Sequence, residues 1–306
     1  MVIKNVALFG AGAVGAYFIW GLSEKLGDDF CVVAKGERGE RLRRNGININ
    51  GKLYKLNVKE PEEVKAPDLI LVSTKYDALE NVIPDIKGMI GQQTLVMSVL
   101  NGVDSEERIG KIIGMEHMLY SVIRISSARN DDGIAFPPER TLGLFVGEKD
   151  CAERTERIRA VEALFEETEI KCTFVSDIIK DMWIKYAGNV SQNLPQAILG
   201  VGAGAYVDSE HVSFIAKKLW EEVAIVAKAK GIMIEPELVR FGNIIPTARY
   251  STLQDIDAKR HTEIDMFAGE MVRMGQEVGI PVPYCEYTYH LMRSIEEKND
   301  GKFKYE

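Results

Sequence analysis

The sequence predicts an α/β domain with a parallel sheet, followed by an all-α domain. Three observations carry this. Short apolar β runs alternate with helical segments through the first half of the chain. A glycine-rich turn joins the first run to the first helix, and strand signals almost vanish from Asp177 onward. The boundary is therefore read as domains 1–176 and 177–306, and a chain of 306 residues suits about two cores.

In order, "VIKNVALFG" reads as a buried strand and "AVGAYFIWGLSEKLG" as a helix that stops at Gly27. "FCVVA" is a second strand, followed by the charged helix "ERGERLRRNG". "DLILVST" leads into the helix "YDALENVIPDI", and "TLVMSVLNGV" is a fourth strand running into a loop. Such alternation builds a parallel sheet through right-handed crossovers. "GININGKLYKL" breaks the rhythm and reads as a small edge hairpin. Past residue 115 come the β-rich "MLYSVIRISS" and "TLGLFVGE", a helix at 150–167 and the strand "KCTFVS". Helical periodicity then dominates "IIKDMWIKYAGNVSQNL", "HVSFIAKKLWEEVAIVAKAKG", "PELVRFGNII", "TEIDMFAGEMVRMGQEVG" and "PYCEYTYHLMRSIEEK".

Composition narrows the function classes. A net charge of −8 argues against nonspecific nucleic-acid binding, while leaving room for a local basic pocket that takes a small anion. "MVIKNVALFGAG" runs straight into a strand, so no signal peptide is expected, and no apolar stretch reaches the roughly 18 residues of a membrane span. Cys31, Cys151, Cys172 and Cys285 are scattered and read as reduced packing residues of a cytoplasmic protein. No metal-ligand spacing is present, and His261 and His290 read as surface or packing groups.

The glycine turn is Gly10-x-Gly12-x-x-Gly15, with Ala11, Ala13 and Val14 between. In a dinucleotide-binding loop the first glycine permits the turn and the second admits a pyrophosphate. The third lets the helix close on the strand, whose partner helix N-terminus attracts phosphate charge. A purely structural glycine turn is the alternative. At the end of the second strand a carboxylate would read the ribose of NAD, but this chain has Lys35, with Arg38 nearby. A cation there suits a 2′-phosphate and favours NADP, unless Lys35 is only a solvated loop charge. Lys75 and Asn101 follow the third and fourth strands, at the edge where such sheets bind ligands.

Lys185, Asn189 and Asn193 are spaced four apart and form one stripe if the segment is α-helical. Two amides and an ammonium suit an anionic or carbonyl substrate, with the ammonium donating a proton to a developing alkoxide. A solvated face explains the spacing equally well. Downstream, Ser251 with Gln254 reads as a capping box, and Thr262 as the cap of a helix starting near Glu263. Glu263 complements the dipole of that helix or belongs to a site.

"GAGAVG", "STKYDA", "LNGV", "SDIIKDMWIKYAGNVSQN" and "STLQDIDAKRHTEID" follow the order and approximate spacing of the ketopantoate reductase family, which the whole chain resembles. That resemblance implies a Rossmann-type dinucleotide-binding domain followed by an all-helical one, with the site in the cleft between them. It implies NADPH-dependent reduction of 2-dehydropantoate to pantoate in pantothenate biosynthesis. Lys185 would be the proton donor, Asn189 and Asn193 would hold the substrate, and Ser251 would bind its carboxylate. Glu263 would hydrogen-bond near the substrate hydroxyl and the cofactor. Gly10 to Gly15, Lys35, Lys75 and Asn101 would hold NADPH, Asn101 also reaching the substrate, with Ala128 a backbone contact. The chain departs from the family pattern at Ala203 and Ala248, where some members carry asparagine, and reads "NLP" in place of "NP" after Asn193. The departures leave the exact 2-oxo acid open, and a paralogous reductase or a non-catalytic NADP sensor is the rival. A homodimer is compatible with the apolar helices.

Overall fold

A computed structural model describes residues 1–130, 133–235 and 245–305. The chain divides into two compact units, Met1–Asp181 and Met182–Glu306, the first α/β and the second helical. Among the described residues no helix is long and apolar enough to cross a membrane.

Unit 1 is built on strands β1 (Val6–Phe9), β2 (Phe30–Val33), β3 (Ile47–Ile49), β4 (Lys52–Tyr54), β5 (Val58–Lys59), β6 (Leu69–Val72) and β7 (Leu95–Ser98). To these it adds β8 (Met118–Arg124), β9 (Ala128–Asn130), β10 (Gly133–Ala135), β11 (Gly143–Gly147) and β12 (Cys172–Phe174). Its helices are α1 (Ala13–Leu26), α2 (Gly36–Asn45), α3 (Leu79–Met89), α4 (Ser105–Ile113) and α5 (Glu156–Phe165). Among the described residues the main sheet has the order β12-β11-β8-β7-β6-β1-β2-β5. Its neighbours are parallel except for the antiparallel β8–β11 pair. Both faces are covered, which is why the central strands read as continuous apolar runs. Val6, Leu8, Leu69 and Leu71 enter one core with Phe18 and Leu22 of α1. Ala7, Phe9, Ile70 and Val72 enter the other with Ile83 and Ile86 of α3.

The hairpin expected at "GININGKLYKL" forms as β3–β4, but it belongs to a second sheet, β4-β3-β10-β9, and does not edge the main one. β9 and β10 span three residues each, too short to show a period. The helix expected at 150–167 is shorter, because the Thr155 hydroxyl accepts from the Ile158 amide (3.2 Å) and starts α5 there. α6 (Ile178–Gly188) crosses the division between the units.

Unit 2 continues with a π-turn at Asn189–Asn193, α7 (Leu194–Leu199), α8 (Ala205–Asp208) and α9 (Glu210–Ala229). After these come α10 (Ser251–Asp257), a second π-turn at Asp265–Gly269, α11 (Glu270–Val278) and α12 (Pro283–Asn299). The helix expected over "PELVRFGNII" lies outside the described residues except for Ile245. The expected continuous helix through "IIKDMWIKYAGNVSQNL" is interrupted by the first π-turn, and the helix expected from Glu263 opens on the second. A π-turn closes i→i+5 hydrogen bonds and inserts a residue that an α-helical projection does not contain.

Candidate active site

The glycine loop joins β1 to α1, and each glycine meets a different steric demand. Gly10 has φ +94°, and a Cβ there would lie 2.5 Å from the Ser73 carbonyl oxygen. A Cβ at Gly15 would lie 1.9 Å from the Gly10 carbonyl oxygen, so only glycine lets the helix sit this close to the turn. Gly12 differs: a Cβ there would meet nothing within 4 Å, which leaves open space beside the backbone. The first turn of α1 carries no acidic residue, and its leading amides at Ala13, Val14 and Gly15 open the helix. That is a fit for a pyrophosphate. Ser73, which no local motif singles out, fixes the loop. Its hydroxyl bonds the Phe9 and Gly10 carbonyls at 3.0 and 2.6 Å.

Lys75 and Asn101 follow β6 and β7 on the same carboxyl-terminal edge. Their loops are tied together by the Tyr76 hydroxyl donating to Asp104 at 2.6 Å. Arg108 bonds Asp104 at 3.3 Å and lies 4.9 Å from the centre of the Tyr76 ring. Beneath this edge the Ser98 and Ser105 hydroxyls bond each other at 2.7 Å, and Ser105 donates to Glu106 at 2.9 Å. Burial pushes the Glu106 carboxyl up to about 8, with Asp104 and Glu107 adding to the rise. The Thr74 hydroxyl oxygen, next to Lys75, is buried without a hydrogen-bond partner among the described residues. Ala128 sits apart, on the outer strand of the small sheet, where it pairs with Ala135.

Lys35 ends the β2 loop as expected, but its ammonium bonds Asp85 of α3 at 2.6 Å. That hydrogen bond holds Lys35 above the ordinary lysine range. The cation expected to read a 2′-phosphate is thus engaged by a carboxylate that is distant in sequence. Hollows of about 210 and 340 Å³ in unit 1 lie elsewhere, at the opposite ends of β1 and β2 from the glycine loop.

In unit 2, Lys185 lies in the last turn of α6, and Asn189 and Asn193 open and close the first π-turn. The inserted residue breaks the even four-residue stripe that α-helical spacing predicts. Lys185 and Asn189 are half-buried and Asn193 is only 8% exposed, so the stripe is not a solvated face. The Asn189 side-chain amide nitrogen is buried with no partner among the described residues. Buried polar groups are rarely left so, and an amide donor in this position is available to an oxygen of a ligand.

A hydrogen-bonded frame holds these segments together. The buried Tyr186 hydroxyl, next to Lys185, donates to the Phe267 carbonyl of the second π-turn at 2.6 Å. The Phe267 amide in turn bonds the Glu263 carbonyl at 3.1 Å, which joins the Lys185 and Glu263 segments. The Tyr206 hydroxyl serves the first π-turn in the same way, donating to the Gln192 carbonyl. Gln196 bonds the Ala248 carbonyl at 3.0 Å and accepts from the Tyr250 amide at 2.6 Å, which fixes the approach to Ser251. Ala203 and Ala248 meet directly, amide to carbonyl, at 3.0 Å. None of these tyrosine and glutamine roles is visible from spacing, because each partner is distant in sequence.

Two capping assignments are corrected. Tyr250, not Ser251, caps α10, without a side-chain bond; Ser251 is the first helical residue and is exposed. Gln254 reaches back to the Arg249 carbonyl at 2.7 Å and does not close a capping box. Thr262 caps nothing: its amide and hydroxyl both donate to the buried Glu296 of α12 at 2.7 Å. A carboxylate with two acceptor oxygens outcompetes the local helix end for those donors. Among the described residues no group of three or more His, Cys, Asp or Glu is placed to hold a metal ion.

Two family models match the chain: "Ketopantoate reductase PanE/ApbA" over residues 6–137 and "Ketopantoate reductase PanE/ApbA C terminal" over residues 177–296. An uncharacterized oxidoreductase, YkpB, of Bacillus subtilis is 28% identical over 298 residues, covering 94% of this chain and 97% of the relative. A 2-dehydropantoate 2-reductase of Streptococcus pyogenes is 26% identical over 301 residues, covering 95% and 97%. In fold, the chain is similar to D-mandelate dehydrogenase solved with NADH and anilino(oxo)acetate, with a TM-score of 0.83 at 23% identity over 97% of this chain and 99% of that one. With both units matched by its models, the chain belongs to the ketopantoate reductase family.

Proposed function

We propose that this protein is an NADPH-dependent 2-oxo acid reductase that converts 2-dehydropantoate to pantoate. The observation that carries the reading is the buried Asn189 amide, without a partner among the described residues, on the π-turn that follows Lys185. An amide donor suits a carbonyl or carboxylate oxygen, and a neighbouring ammonium suits the oxygen that gains charge as the carbonyl is reduced. The S. pyogenes relative and the family models support the substrate.

In this reading unit 1 binds the dinucleotide and unit 2 handles the oxo acid. Gly12 and the α1 amides take the pyrophosphate, Lys35 faces the adenosine ribose, and Lys75 and Asn101 line the edge beside it. Bound NADPH supplies hydride to the 2-oxo carbon. Lys185 gives a proton to the oxygen, Asn189 and Asn193 orient the substrate, Ser251 meets its carboxylate and Glu263 bonds its hydroxyl. Ala128 is assigned no more than a backbone contact.

The test is NADPH oxidation by the purified protein with 2-dehydropantoate and a panel of other 2-oxo acids, repeated with Lys185→Ala. The variant should lose about 10²–10⁴-fold in kcat, the share of a general acid, and keep NADPH binding. Absence of turnover on every 2-oxo acid, or near-normal turnover by Lys185→Ala, would sink the reading. A second reading, reduction of a different 2-oxo acid, is favoured by Ala203 and Ala248, which bond through their backbones at positions where some family members carry asparagine. It wins if another acid gives a higher kcat/KM.

A further inference from the structure

Lys35 stands where the loop after β2 meets the adenosine ribose in dinucleotide-binding sheets. A free lysine there would favour a 2′-phosphate, but this one is committed. Its Nζ bonds Asp85 Oδ1 at 2.6 Å, with Asp85 largely covered (16% exposed) and Lys35 open (52%). Asp85 comes from α3, the crossover after β6, so the fold and not the local sequence brings the two together. Glu60 and Glu62, after β5, add negative field at the same ammonium. Arg43 is drawn toward Glu60 and Glu63, at 3.8 and 3.9 Å. The surroundings of Lys35 are therefore acidic.

We propose that Asp85 is a specificity-determining residue that sets how strongly the protein prefers NADPH over NADH. The proposal rests on the dinucleotide reading above. A phosphate monoester brings about −1.5 to −2 charge near neutral pH. To use Lys35, a 2′-phosphate has to share the ammonium with the Asp85 carboxylate or displace it, and the two anions repel over a few ångströms. The 2′-hydroxyl of NADH brings no charge and meets no such cost. Asp85 thus narrows a preference that Lys35 alone would make wide. The preference is graded by one ion pair, not fixed by one cation.

The experiment is dinucleotide binding, followed by calorimetry or cofactor fluorescence, for wild type, Asp85→Asn and Lys35→Met with NADPH and NADH. Asp85→Asn should tighten NADPH about tenfold and leave NADH within about twofold, the size of one removed like-charge contact. Lys35→Met should weaken NADPH and leave NADH within the same range. An unchanged NADPH/NADH ratio in Asp85→Asn, or weaker NADPH binding, overturns the role of Asp85 while the dinucleotide reading stands. If neither cofactor binds the wild type, both fall.

Discussion

The glycine loop of unit 1 is shaped by atoms that are absent. The Lys185–Asn193 segment of unit 2 is shaped by side chains carried on an irregular backbone. Gly10 and Gly15 are required because any Cβ would strike a carbonyl, whereas Gly12 faces open space. The Gly10 φ and the Gly15 clash with the Gly10 carbonyl are local, so the loop declares itself in six residues even though Gly10 also abuts Ser73. The π-turn is different: it forms where tertiary partners satisfy carbonyls that an α-helix would have paired. Tyr206 and Tyr186 supply those partners for the two π-turns. A motif of omissions survives translation from sequence to structure unchanged, while a motif of spacings is shifted by one inserted residue.

The strongest way to break this contrast is within the loop itself. Gly10→Ala combines a positive φ with a backbone clash and should cost about 3–6 kcal/mol, measured by urea unfolding. Gly12→Ala should leave stability within about 1 kcal/mol. It should nevertheless weaken dinucleotide binding at least about tenfold, because its methyl occupies the space left for pyrophosphate. If both variants lose stability equally, the glycines are scaffold alone and the loop is not a cradle.

The division between what spacing reveals and what it hides runs through both units. The central strands were readable because residues facing either core are apolar, and α1 because Gly27 ends it. β9 and β10 were not, being too short to carry a period. Asn189 and Asn193 could be nominated from residue type, yet only the π-turn shows one buried and the other with an unpartnered amide. Asp85, Ser73, Tyr186 and Glu296 were invisible because their partners lie 50, 63, 81 and 34 residues away. Ser251 and Thr262 look like caps in sequence, but a one-residue shift of helix start decides the first and the distant Glu296 carboxylate the second.

Unit 1 also hides a titrating group that local sequence does not announce. Glu106 looks like a first-turn acid complementing the α4 dipole, but it is 1% exposed. Burial pushes its folded carboxyl up to about 8, above the ordinary glutamate value of about 4.3 in an unfolded chain. Between those values the folded state holds a proton that the unfolded state has released, so stability falls as pH rises. Above about pH 8 the cost is fully present, on the order of 5 kcal/mol. Glu106→Gln should therefore unfold later than wild type at pH 9 and similarly at pH 5, by thermal denaturation. Equal pH slopes in the two proteins would mean Glu106 finds compensation that its Ser105 partner does not provide.

The smallest effect tests the π-turns directly. Tyr186→Phe keeps the ring, its packing on Trp183 and Phe267, and the apolar volume, and deletes only the hydroxyl that serves the Phe267 carbonyl. A buried acceptor left without its donor costs about 1–3 kcal/mol. The loss should be focused: amide hydrogen exchange should quicken at Asp265–Gly269 more than in α9, because the second π-turn loses its tertiary reason to stay open. Since Phe267 also holds the Glu263 carbonyl, any movement there would carry to the Glu263 segment. Uniform protection in the variant would show that the π-turn is an intrinsic preference of "DMFAG", and the irregular backbone would then belong with the glycine loop as a feature written locally in the sequence.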